Sequence, residues 1–95
     1  MTDDARLIAR YIEPDPNHPG PGDVRLVDSA IPVWAIVGQL AANHWRVDVV
    51  AGEYSIPVAE VRASLAYYRQ CKEVIDARLA ANSGLPLPTA VGVPA

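Results

Sequence analysis

Asp15 and His18 share one short stretch of chain, and a carboxylate three residues from an imidazole is raw material for a metal site or an acid–base pair. Prolines and glycines surround the two, however, and no second histidine or cysteine stands at metal-ligand spacing. His44, between Asn43 and Trp45, reads as a residue that caps or packs at a helix end. Cys71 has no histidine near it in the sequence and sits beside apolar residues at helical spacing, which reads as a small apolar filler and not a nucleophile. Gly20-Pro21-Gly22 lacks the Lys-Ser/Thr of a phosphate-cradling loop, and its proline removes one of the amides such a loop needs. No set of nucleophile, base and oxyanion donor can be assembled. The chain is therefore not expected to be an enzyme, and no metal or other cofactor is expected.

The remaining chemistry is that of binding. A net charge of −3, from 8 Lys plus Arg against 11 Asp plus Glu, argues against polyphosphate binding by bulk charge, so any nucleic-acid contact has to come from a local patch. Trp34 and Trp45 could serve as stacking platforms for bases, but their places beside apolar helix positions favour core anchors. A single cysteine excludes an internal disulfide, and the Met1-Thr2-Asp3-Asp4 start is acidic where a secretory signal is basic; the expected compartment is the cytoplasm. The longest uncharged run, Ser29 to Trp45, contains Pro32, Gln39, Asn43 and His44 and falls short of the roughly 20 apolar residues of a bilayer span, so no membrane partner is expected.

Which elements would position these residues follows from the apolar spacing. The segment 5–11 carries Leu7, Ile8 and Tyr11 and is taken as a strand, although it is too short for periodicity to decide. Four prolines between Glu13 and Gly22 then enforce a loop, and Asp23 to Asp28 alternates polar with apolar. A small N-terminal hairpin over about 5–28 is the expectation. From residue 31 the period changes: Val33, Trp34, Ile36, Val37, Leu40 and Ala41 predict a helix over about 31–43, with Ser29 as a cap and Pro32 in its first turn. A second short helix is predicted over 47–54. A third, opened by Pro57, carries Val58, Val61, Leu65, Tyr68, Lys72, Ile75 and Leu79 in one stripe to about residue 82, with Gly84 as its terminator. So long a stripe exceeds what two short helices can cover, and homodimerisation is the simplest way to cover the rest.

The fold class expected is therefore mainly α with a small N-terminal β hairpin: one helix-turn-helix-like domain over 1–83 with a long third helix, followed by a proline-containing apolar tail over 84–95. In such a unit the third helix reads DNA, presenting Ser55, Ala59, Glu60, Arg62, Ala63 and Tyr67 away from the stripe. Arg62 could read a guanine edge or grip a phosphate, Ser55 could bind a phosphate, and Arg46 could clamp the backbone from the preceding turn. Arg69, seven residues after Arg62, shares its face. The alternative is that Arg62 and Arg69 belong to a solvated stripe paired with Glu73 and Asp76.

Ile31-Pro32-Val33-Trp34, Leu40-Ala41-Ala42, Val50 with Tyr54, and Glu60-Val61-Arg62-Ala63-Ser64-Leu65-Ala66-Tyr67-Tyr68 stand in register over about 22–79. In these motifs the chain resembles domain-of-unknown-function family 433. Where members carry a Gly-Thr-Arg run before the Ile-Pro, this chain has Asp28-Ser29-Ala30. The resemblance implies a small helix-turn-helix-like domain and, for many members, the antitoxin half of a bacterial type II toxin–antitoxin pair of the VapB kind beside a PIN-like ribonuclease. It implies that this chain neutralises such a toxin by direct binding and binds operator DNA as a dimer. An inhibitor of a metal-holding acidic pocket works with a basic side chain or by covering the substrate groove, which makes Lys72, Arg78 and the tail residues Leu85, Leu87 and Val91 the toxin-binding candidates. Otherwise Arg78 only complements a helix C-terminus and the tail is loose. A dimeric interaction module of the same family without DNA binding is the alternative function.

Overall fold

A computed structural model describes residues 2–83 of the chain, five helices and one two-stranded antiparallel sheet. The first element corrects the sequence expectation: 5–11 is not a strand but lies inside helix α1, Asp3–Tyr11. The Thr2 hydroxyl accepts from the Ala5 amide at 3.1 Å, Asp3 and Asp4 fill the first turn and Arg10 the last, so both ends match the helix dipole. The hairpin is correspondingly smaller. Strand β1, Ile12–Glu13, pairs with β2, Arg25–Leu26, in the register Ile12 to Leu26 and Glu13 to Arg25, and the second pair adds an ion pair at 2.7 Å. Two residues per strand suffice because the proline-rich segment between them can neither continue a ladder nor form a helix.

Helix α2, Val33–Ala42, buries Val33, Ile36, Val37 and Leu40, the i, i+3, i+4, i+7 set of one helical face. Its N-cap is Pro32, with no side-chain cap; Ser29 instead accepts from the Ile31 amide at 3.3 Å. The helix stops where Asn43 turns its side-chain amide back to the Gln39 carbonyl and where His44 and Trp45 both adopt left-handed backbone, φ 57° and 62°. Neither is glycine, so this corner is held by its surroundings and not by local preference. Helix α3, Val47–Tyr54, matches the predicted bounds and ends at Ser55, also left-handed, with the Ile56 amide reaching back to the Ala51 carbonyl at 3.0 Å.

The long third helix expected over 57–82 is two helices, α4, Val58–Gln70, and α5, Lys72–Ser83. Cys71 is the joint, with φ −124° and ψ 41°; its amide still bonds the Tyr67 carbonyl and its carbonyl still accepts from Ile75. No glycine or proline causes the break. A straight helix would carry Ile75 and Leu79 past the end of the domain, whereas the bend lays α5 on α2 and buries Ile75 completely. The close approach depends on Gly38, where a Cβ would lie 3.1 Å from a Leu79 methyl. The far end of the stripe, Ile75 and Leu79, thus packs within the chain. The predicted terminator Gly84 lies outside the described residues.

Two apolar clusters form the interior, one around Val24, Val33, Val37, Tyr68 and Ile75, the other around Leu26, Ile36, Leu40, Val50 and Val61; Ile12, Trp45 and Leu65 touch both. Ile75 discriminates between a bent and a straight third helix. Ile75→Ala should cost about 2–5 kcal/mol in a urea or thermal unfolding measurement, as for a fully buried side chain. A loss below about 0.5 kcal/mol, the value of an exposed position, would mean that α5 does not dock.

Candidate binding surface

The cations are the side chains to follow, because most of them are already spoken for. Of the 8 Lys and Arg, five make ion pairs within the chain: Arg25 with Glu13, Arg46 with Asp48, Arg69 with Asp4, Lys72 with Asp76 and Arg78 with Asp23. Arg10 lies over the ring of its neighbour Tyr11. Arg6 and Arg62 take part in no ion pair among the described residues, and both are exposed.

The four residues expected to contact DNA fall in different settings. Arg46 is the N-cap of α3 and lies 3.7 Å from Asp48, with both groups exposed. Ser55 is the exposed left-handed residue closing α3. Arg62 stands on the outer strip of α4. Arg69, at the other end of that helix, donates to both carboxylate oxygens of Asp4 on α1, at 3.3 and 3.4 Å, and not to Glu73 or Asp76. The face that should have presented Glu60, Ala63 and Tyr67 is packed instead: Glu60 is 3% exposed, Ala63 0% and Tyr67 9%. Helix α1 lies along α4, and the segments on either side of β2 reach it as well: Tyr67 donates to the Pro21 carbonyl and Asp28 stands near Glu60.

Arg78 serves the fold. Its Nε donates to Asp23 at 2.8 Å, and its guanidinium sits 4.8 Å from the centre of the Trp34 ring, so it ties α5 both to the loop before β2 and to α2. Lys72 pairs with Asp76 at 3.0 Å, and the same carboxylate accepts from the Tyr68 hydroxyl at 2.7 Å across the Cys71 joint. Burial and then this bond push the Tyr68 hydroxyl above its ordinary pKa. Leu85, Leu87 and Val91 lie outside the described residues.

The remaining candidates are local structure. Asp15 accepts from the Asn17 amide at 2.8 Å, and that bond holds its carboxyl below the ordinary range. The Tyr67 hydroxyl donates to the Pro21 carbonyl at 2.6 Å; burial, followed by the neighbouring Cys71 thiol, pushes it up to about 12. Trp45 stacks on Tyr68 with ring centres 5.6 Å apart, and Trp34 packs under Arg78, so both tryptophans anchor the core edge as expected. Among the described residues no three His, Cys, Asp or Glu side chains gather where they could hold a metal ion, and no helix is long and apolar enough to cross a membrane.

What sequence reasoning missed is the neighbourhood of Arg62. Across from it on α1 stand Asp3, Arg6 and Leu7, and with Val58 and Ala59 of α4 they line an open groove of about 440 Å3. Val58 is 39% exposed, one of three large apolar side chains so placed. The signal lay in Thr2-Asp3-Asp4, an N-cap followed by first-turn acids, which marks a helix start and puts Asp3, Arg6 and Leu7 on one face. No family model, no curated protein and no solved structure matches the chain.

Glu60 carries a pH dependence. Burial, and secondarily the Asp28 carboxylate, raise its pKa above the ordinary 4.5. The folded chain then holds this proton more tightly than the unfolded chain, so the contribution to stability is fullest below pH 4.5 and falls as pH rises through the raised value. Glu60→Gln removes the ionisation. Thermal melts should show the variant more stable than the parent at pH 7 and the two converging toward pH 4; an equal gap at both values would assign the effect to packing alone.

Proposed function

We propose that this chain is the antitoxin of a bacterial type II toxin–antitoxin pair, neutralising a PIN-like ribonuclease by direct binding and contacting operator DNA as a homodimer. The observation that carries a binding role is the division of labour among its cations: five make ion pairs within the chain, while Arg6 and Arg62 make none among the described residues and stand exposed beside Val58. The specific partner comes from the resemblance borne by Ile31-Pro32-Val33-Trp34 and by residues 60–68. Supporting the DNA-binding part, α3 and α4 follow each other across a short turn in helix-turn-helix order, with Arg46, Ser55 and Arg62 exposed along their edge. Both activities belong in the cytoplasm, where a ribonuclease's RNA target and an operator are found together.

A second reading has a specific observation in its favour. With Glu60, Ala63 and Tyr67 packed and Arg69 held by Asp4, α4 offers a groove-reading face reduced largely to Arg62, which suits a dimeric protein-interaction module that does not read DNA. Expressing the tagged chain together with the product of its genomic neighbour tests the antitoxin role. Retention of an inactive ribonuclease by the full chain is expected, and its loss on truncation after Ser83 would assign the inhibitory contact to Leu85, Leu87 and Val91. A chain that retains no such ribonuclease is not an antitoxin of this kind. For the DNA role, Arg62→Ala should weaken binding to the promoter fragment by about 1–3 kcal/mol in a titration; binding that is absent, or unchanged in the variant, favours the interaction module or moves readout elsewhere.

A further inference from the structure

On a chain with more acids than bases, an arginine without an acidic partner is not explained by a shortage of carboxylates. Arg6 and Arg62 are both in that position, and they stand on two different helices that line the same groove. Between them the floor is Leu7, Val58 and Ala59. Val58 opens α4 and points its methyls outward, at a position where a polar residue would serve the helix equally well. The groove's volume of about 440 Å3 lies within the range of about 300–1,000 Å3 in which proteins seat ligands, and its openness to solvent suits a segment of chain laid along it.

We propose that the groove between α1 and α4 is a docking site for an acidic, amphipathic segment of a partner protein, whose apolar side chain seats on Leu7, Val58 and Ala59 while its carboxylates meet Arg6 and Arg62. This rests on the chain being a protein-binding domain and adds, on the folded part of the chain, a contact surface distinct from the tail. Charge complementarity selects the acidic segment: among the described residues neither guanidinium group has an ion-pair partner, and each can take a carboxylate in a bidentate bond. A nucleic-acid strand fits less well. Its phosphates would leave the apolar floor uncovered and would bring one negative charge against Asp3 at the rim. Asp3 also gives the site polarity, because a bound segment must turn its carboxylates toward the arginines and a neutral or basic residue toward Asp3.

The test uses the full chain, immobilised, and a displayed library of random 12-residue peptides. Selected peptides should carry Asp or Glu within one helical turn of Leu, Ile, Phe or Trp. A synthetic copy of the most enriched peptide should lose at least tenfold in affinity for Arg62→Glu and for Val58→Asp, with thermal melts confirming that both variants fold; Arg6→Ala and Arg62→Ala provide milder second variants. Replacing the peptide's acids with lysine should restore binding to Arg62→Glu. Failure to recover any peptide, recovery of peptides without acids, or affinity indifferent to the groove variants would overturn the proposal. So would a 20-base-pair duplex that binds through Arg62 where no acidic peptide does, or a concentration-dependent dimer of the native chain that these substitutions abolish. Because the selection needs no ribonuclease, its failure is separable from failure of the antitoxin role, which the copurification reads independently.

Discussion

Helix α4 is the wall against which the domain is built: α1, α2 and α3 pack on it, and α5 folds back from its end, so that seven of its 13 residues are buried. A helix used in this way cannot also present a broad face to a ligand. The buried set includes Ser64, whose hydroxyl bonds the Glu60 carbonyl one turn back, and Glu60 itself, the polar members one would have placed outside. What is left for function is the narrow outer strip that carries Val58, Arg62 and Arg69, of which Arg69 is already tied to α1.

The bend at Cys71 follows from the same economy of surface. The 82 described residues make a small interior, and a straight stripe from Val58 to Leu79 would carry its far end away from that interior. Bending costs one irregular residue and some hydrogen-bond geometry, while docking α5 on α2 buries Ile75, brings Leu79 against Gly38 and lets Arg78 reach both Asp23 and Trp34. Four left-handed residues that are not glycine among the described residues, Ala30, His44, Trp45 and Ser55, mark other places where the surroundings override local preference. Trp45 illustrates how: its position in the turn allows the ring to stack on Tyr68 between the two apolar clusters.

Function, in this arrangement, is a matter of which charges the fold leaves over. Arg78 and Lys72 stand where a partner could be contacted on a sequence diagram, yet both are engaged: Arg78 bonds Asp23 in the loop before β2, and Lys72 pairs with Asp76 one turn on in its own helix. Arg6 attracts no notice in the sequence and becomes, with Arg62, one of the two exposed cations framing an apolar groove. A binding surface of this type is assembled from two helices far apart in the chain, and neither half is informative alone.

The sequence by itself determined the helical class, the existence and near bounds of α2 and α3, the proline-enforced loop and the short strand that follows it, because each rests on local rules: apolar period, φ restriction by proline, and the stop at Asn43-His44-Trp45. It also contained the start of α1 in Thr2-Asp3-Asp4, a signal of two or three residues outweighed by a segment too short for periodicity. Tertiary structure alone decided the break at Cys71, the burial of Glu60, Ala63 and Tyr67, and which arginines make no ion pair among the described residues. None of these has a local cause. A stripe at helical spacing is the same whether its helix runs straight or bends, and a charge is the same in sequence whether a carboxylate more than fifty residues away reaches it or not.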